Sequence, residues 1–242
     1  MTRSRSGGQP AALHFLSAGA AKGLVTALVG PFQEDEHCRL SGDFGAVGLM
    51  REKLMEGQAC DFIILSQKHI DELTRGGLLD PQETRSLGVV CTGVARRAED
   101  PGVAVGDAEA LARVLSQAPE IYFPDPEKST AGIHFSKILA ALGLDRILED
   151  RLRPFPNGAV AMHEMATRGA RGAIGCTQVT EILYTPGVSL VAPLPAGFEL
   201  STVYAAAIPK AAGNRELARR FVERLTGEGS LPLRSRGGFD EQ

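Results

Sequence analysis

Two rhythms alternate along this chain. Short continuous apolar runs, which read as strands, give way to stretches whose apolar residues return every three or four positions, as on one face of a helix. "LHFL" (13–16) reads as a strand, and the helix after it carries Leu24, Leu28 and Phe32 on one side. In "SGDFGAVGLMREKLMEG" (41–57), Val47, Met50 and Leu54 recur at i, i+3 and i+7, which predicts a second amphipathic helix. "DFIILS" (61–66) is a buried strand by its unbroken apolar run, a helix follows to about Arg75, and "SLGVVCTGVARR" (86–97) is another strand.

A second series follows. A helix near 107–117 precedes the strand "IYFP" (121–124), the loop "DPEKSTAG" and a helix carrying Phe135, Ile138, Leu139 and Leu142. "LRPFPNG" introduces a helix at about 159–167, "GAIGCT" (172–177) is a short strand, and "FELSTVYAAAIP" (198–209) a long one. The last helix, about 214–225, presents Leu217, Phe221 and Leu225, and a polar glycine-rich tail closes the chain. Strands alternating with helices predict α/β layers around mainly parallel sheets.

In such sheets ligands bind beyond the carboxyl ends of the strands, where the next helices begin. Four strand-to-helix turns here are rich in small or hydroxyl residues: "SAGAAKG", "GDFGAVG", "DPEKSTAG" and "PFPNGAV". A helix start exposes unpaired N–H groups and a partial positive charge, which suits an anion. Each turn alone reads first as a tight connection; the repetition is what carries information.

Composition narrows the classes. The 242 residues, 43% apolar with a net charge of −3, suit a globular protein of one large or two modest domains and give no nucleic-acid footprint. Tryptophan is absent and no run reaches the length of a membrane span. Glycines and Pro10 separate the first arginines from a short apolar strand, so no secretory h-region is visible. This predicts a cytoplasmic protein, or a periplasmic one if a leader has been removed. Cys38, Cys60, Cys91 and Cys176 form no CxxC pair and read as buried reduced thiols, and the histidines show no metal-ligand spacing. Neither a metal nor a cofactor is predicted. Serine-hydrolase elbows, phosphate-binding loops and HExxH are absent from the sequence.

The four turns in this order resemble the type II solute-binding fold of the periplasmic molybdate-binding protein family. The matching pieces are "FLSAGAAKGLVTALVGPF", "GAVGLMREKLMEGQACDFIILS", "PDPEKSTAGIHFSKILAALGL", "NGAVAMHEMATRGARGAIGCTQVTEIL" and the closing "STVYAAAIPKAAGNRELARRFVERLT". The resemblance implies an α/β protein of two lobes with a ligand cleft between them. One lobe would take 11–94 plus 199–242, the other 95–198, after a flexible N-terminus at 1–10. It also implies where the chain departs from its relatives. That family grips a tetrahedral oxyanion with serine hydroxyls from the first two turns, backbone N–H groups and a tyrosine in the last. Here the first serine position is Ala20, the second falls in Ala46-Val47-Gly48, and the tyrosine position is Gln178. Backbone donors survive such substitutions, so an anion site is retained while the molybdate-specific hydroxyls are lost.

The expected ligand residues are Ser17, Ala18 and Gly19 in the first turn, Gly45, Ala46 and Val47 in the second, and Ser129, Thr130 and Ala131 in the third. Asn157, Gln178 and Tyr204 complete the set. Ser129 and Thr130 are equally good helix caps. Glu181 reads as a helix-start residue. His134 is either a packing residue or a cleft group, since imidazole as a type titrates near neutrality. Lys22 stands at a helix start, where a cation is disfavoured unless an anion is near.

Two functions follow as expectations. The first is a binding protein for a small anion, an organic carboxylate rather than molybdate, with any transporter partner unidentified. The alternative is a cytoplasmic isomerase of the aconitate-isomerase type, a class known on this fold, which would move a proton on a di- or tricarboxylate. In that case His134 would be the first candidate base and Lys22 the second.

Overall fold

The computed structural model describes residues 11–241; the flexible N-terminus expected at 1–10 lies outside the described residues. The chain runs β1 (Ala12–Ala18), α1 (Lys22–Glu36), β2 (Arg39–Gly45), α2 (Val47–Met55), β3 (Phe62–Ser66) and α3 (Gln67–Arg75), then the long β4 (Leu79–Arg97). It continues through α4 (Ala108–Gln117), β5 (Ile121–Pro124), α5 (Thr130–Ala141), β6 (Leu152–Phe155), α6 (Gly158–Arg168), β7 (Ile174–Gln178), α7 (Val179–Tyr184) and β8 (Val188–Pro193). It closes with β9 (Ser201–Pro209), α8 (Arg215–Thr226) and α9 (Leu231–Arg236).

The helices form where the apolar spacing places them. Val47, Met50 and Leu54 are buried along α2, and Leu217, Phe221 and Leu225 along α8. Asp107 caps α4 through its Oδ1, which accepts the Ala110 N–H at 2.8 Å. His37 ends α1 in the left-handed conformation at φ 51°.

The strands lie in the order β2-β1-β3-β9-β4-β7-β5-β6, with β8 also on β4. β1 pairs in parallel with β2 and β3, and β5 in parallel with β6 and β7. The sheets are more mixed than the alternation suggests. β9 lies antiparallel between β3 and β4, and β4 pairs antiparallel with β7 and β8, because the chain crosses between two halves and returns. The turn "LRPF" is itself a strand, the helix start read at Glu181 opens the short α7, β8 adds a strand not foreseen, and the expected tail folds as α9 with Phe239 buried at 3% exposure.

Two lobes result, each with its own apolar centre. The first gathers β1 to β3, the near half of β4, β9 and α8, where the Phe221 ring meets Phe32 and Phe62 with centroids 4.9 and 5.1 Å apart. Asp61, 6% exposed, ties this lobe together by accepting the N–H groups of His14, Gly213 and Asn214. The second gathers Val94, Leu111, Ile121, Phe123, Phe135 and Ile138 around β5 and β7. β4 belongs to both lobes and β9 joins it at the crossing, so these two strands form the hinge between them.

Candidate functional site

β1, β2, β5, β6 and β7 are each followed by a helix or helical turn, β5 after the loop 125–129, and the residues at these junctions meet across the space between the lobes. Across this space the lobes touch. The Gly48 N–H on α2 donates to the Lys128 carbonyl before α5 at 3.1 Å, and the Lys128 ammonium pairs with Glu52 at 2.9 Å. Gly19, in the short helical turn after β1, packs against the Glu181 carboxylate and Asn157 of the other lobe. The structure is therefore a closed arrangement of the two lobes.

Strand pairing puts four polar side chains on one face of the hinge. Thr92 on β4 stands directly opposite Gln178 at the end of β7, and opposed residues share a face. Val90, two residues before Thr92, stands opposite Thr202 on β9, and Tyr204 is two residues further on. Thr92, Gln178, Thr202 and Tyr204 thus form one polar floor. Their exposures are 1%, 3%, 7% and 2%, yet the hydroxyls of Thr92 and Thr202 and the amide oxygen of Gln178 have no hydrogen-bond partner, and the Gln178 amide N–H has only the Tyr204 phenol beside it. Buried polar groups are ordinarily paired, and each orphan costs about 1–3 kcal/mol. Several orphans on one face are what a site awaiting a polar ligand or water presents. Burial and the nearby Glu181 carboxylate push the Tyr204 phenol well above its usual range.

Beside this floor lies a cavity of about 510 Å³ between α3 and α5. Ser66, which is opposite Tyr204 in the sheet, lines it together with His69, Thr130, His134 and Thr202. The Ser66 hydroxyl and His69 Nδ1 are 2.8 Å apart, and burial is the main cause of a lowered His69 pKa. His134 Nε2 donates to the Phe198 carbonyl at 2.8 Å. That bond fixes the tautomer and leaves Nδ1 as the basic nitrogen of a ring lining the cavity.

Glu181 occupies the other side of the interlobe space. It is 5% exposed, and its carboxylate accepts the Thr177 hydroxyl at 2.5 Å and lies beside the backbone N–H groups of Gly158, Ala159 and Gln178. Burial nevertheless raises its pKa, with these donors opposing the rise. A side-chain carboxylate therefore fills the anion-seeking start of α6, where only glycine fits: a Cβ at Gly158 would overlap Thr177 Oγ1 and Glu181 Oε2.

The residues expected from the sequence are distributed unevenly over this geometry. Gln178 and Tyr204 lie on the polar floor, and Thr130 and His134 line the cavity. Ala18, Gly19, Gly45, Ala46 and Val47 are buried at the ends of β1 and β2 and the helical starts after them. Neither Ala46 before α2 nor Ser129 before α5 makes a side-chain cap bond, while the Gly48 N–H of α2 is taken by the Lys128 carbonyl and the Ser129 N–H by the Asp125 carbonyl. Ser129 and Ala131 are buried there. Ser17 is fully buried and its hydroxyl donates to the Ala18 carbonyl at 3.1 Å. Asn157 spends its oxygen as the α6 cap, accepting the Val160 N–H at 3.0 Å. Lys22 stands apart from the cavity, with its ammonium 6.0 Å from the centre of the Tyr184 ring.

Sequence reasoning missed Thr92, Thr202, Ser66, His69 and the buried role of Glu181. The only local signal was the i, i+4 spacing of Thr177 and Glu181, which lets the pair meet across one turn. Cys38, Cys60 and Cys176 are buried free thiols and Cys91 is partly exposed. Among the described residues there is no group of three or more histidines, cysteines or carboxylates able to hold a metal. No described helix is long and apolar enough to cross a membrane.

Known proteins match this chain over nearly its whole length. The profile of the bacterial extracellular solute-binding proteins matches residues 13–239. An aconitate isomerase from Pseudomonas sp. is 22% identical over 221 residues, 88% of this chain and 81% of that one. Among solved structures, the Azotobacter vinelandii periplasmic molybdate-binding protein superposes with a TM-score of 0.78 at 18% identity, covering 95% of this chain and 99% of that one. The sulfate-binding protein SubI from Mycobacterium tuberculosis H37Rv gives 0.72 at 16% identity, covering 95% and 86%.

Proposed function

Because the chain belongs to the family of bacterial extracellular solute-binding proteins, we propose that its lobes close on a small organic carboxylate bound over the Gln178 floor. The observation that carries this is the set of unpartnered buried groups: the Gln178 amide oxygen and the Thr92 and Thr202 hydroxyls. An amide offers one donor and one acceptor side, whereas a tetrahedral oxyanion such as molybdate presents acceptors in every direction. An organic acid with a hydroxyl or a protonated oxygen satisfies both sides of Gln178. The uncapped starts of α2 and α5, at Val47 and at Thr130 and Ala131, supply N–H donors for its charge. We take residues 11–94 plus 199–242 as one lobe of the binding unit and 95–198 as the other.

The test is a thermal-shift series with molybdate, tungstate, sulfate and mono-, di- and tricarboxylates, since a ligand that binds only the folded state raises its melting point. Carboxylates are expected to stabilise. Strong stabilisation by molybdate with no response to carboxylates would overturn the reading.

A second reading is favoured by His134, whose ring is held in one tautomer with Nδ1 basic, and by the likeness to an aconitate isomerase. In it the same cleft moves a proton on an unsaturated di- or tricarboxylate, with His134 as the base and backbone donors holding the enolate-like charge. Incubating a carboxylate that binds in deuterated water and following it by NMR tests this. Deuterium incorporation that His134→Gln abolishes, with binding retained, supports catalysis; absence of exchange at high protein concentration leaves the binding protein.

A further inference from the structure

We propose that the cavity between α3 and α5 is a second anion subsite of the same cleft, so that the ligand carries at least two carboxylates. This rests on the carboxylate reading above and extends it from one charged group to two.

The formal charges on the walls of the cavity are those of two lysines, joined by two imidazoles. Lys68 and His69, in the first turn of α3, face Lys137 and His134 on α5, and no aspartate or glutamate lines it. Residues 130, 134 and 137 follow one another along a single face of α5, so Thr130, His134 and Lys137 form a continuous polar strip. Among the described residues neither Lys68 nor Lys137 is in an ion pair, although ion pairs are common elsewhere on this chain, as at Lys53, Lys128, Arg219 and Arg224.

An independent observation marks the place as a ligand site rather than a solvated face. Thr202 lines the cavity at 7% exposure, and its hydroxyl has no partner. The same residue belongs to the polar floor with Gln178 and Thr92. Thr202 is therefore the point where floor and cavity meet, and a ligand reaching from one to the other passes over it. A volume of about 510 Å³ is in the range of sites for molecules of several carbons and exceeds the need of a single small oxyanion. Two lysines around an acid-free cavity suit a second carboxylate, which ammonium groups bind with charge-assisted hydrogen bonds.

Calorimetric titration of the full chain with propionate, succinate and tricarballylate tests this on saturated acids that cannot react. The wild type and a Lys68→Gln/Lys137→Gln variant are compared at low and high salt. Both lysines are exposed, so the variant retains the buried floor. Tricarballylate is expected to bind the wild type at least tenfold tighter than propionate, and its binding to weaken with added salt. The variant should lose about tenfold on tricarballylate and keep its affinity for propionate. Equal affinities of the wild type for one and three carboxylates, or a variant that binds tricarballylate as the wild type does, would overturn the second subsite while leaving the carboxylate cleft in place. Binding of none of the three acids by the wild type would overturn the cleft reading itself and the subsite with it.

Discussion

Replacing Glu181 with alanine removes one buried carboxyl group and strands the Thr177 hydroxyl that donates to it, next to the N–H groups of Gly158, Ala159 and Gln178. Each buried donor left unpaired costs about 1–3 kcal/mol. Water entering the vacated space pairs some of these groups, so the loss expected for Glu181→Ala is about 1–3 kcal/mol. At about 2–4 °C per kcal/mol for a chain of this size, the melting temperature should fall by roughly 2–12 °C. Glu181→Gln retains the shape and one acceptor and should lose less.

The pH dependence has a definite sign. Burial raises the pKa of Glu181 above its unfolded value near 4.5, so the folded state favours the protonated form. Its contribution to stability is fully present below the unfolded value and is lost as pH rises through the raised folded one. The deficit of Glu181→Gln relative to the wild type should therefore shrink as pH increases over that window. Scanning calorimetry of the three proteins from pH 4 to pH 8 measures both effects. A Glu181→Ala variant within about 1 kcal/mol of the wild type at every pH would refute the reasoning.

Gly158→Ala should destabilise the chain by about 1–3 kcal/mol in urea denaturation, because its Cβ overlaps Thr177 and Glu181; unchanged stability would contradict the packing described. Thiol labelling of the native protein at pH 8 should modify Cys91 quickly and the other three only after unfolding. Burial pushes the Cys60 thiol to about 12 and the Cys176 thiol higher still, so rapid labelling in a Cys91→Ser variant would count against it.

Much of the fold was legible because its signals are local. The apolar run of "DFIILS" and the spacing of Val47, Met50 and Leu54 each specify an element without reference to the rest of the chain. The four small-residue turns, taken in order, pointed to helix starts facing a cleft, and Gln178 stood out as a departure from the resembling family. What was not legible depends on pairing between distant segments. Thr92 and Thr202 become site candidates only once β4, β7 and β9 lie side by side with their orphaned hydroxyls on the Gln178 face. Glu181 looked like an ordinary first-turn acid because nothing in "TQVTEIL" reveals that Gly19 and Gly158 close over it. The C-terminal stretch read as a tail because its apolar anchors, Leu233 and Phe239, are isolated among glycines and arginines. In the fold Phe239 packs against Tyr204, and Arg234 donates to the Leu87 carbonyl at 2.9 Å.

The placement of β9 between β3 and β4 also imposes an order on synthesis. The second lobe is drawn from one unbroken stretch, so all of its partners have left the ribosome before β9 is made. The first lobe contributes most of its strands early, yet β3 and the near half of β4 are then left with open edges and no strand between them. Only when β9 emerges can it slot in and join the two, with α8 following to cover Phe32 and Phe62. The half of the protein that begins first is thus the half that finishes last, and it is the nascent first lobe, with its unpaired strands, that most needs shielding from aggregation while the ribosome works.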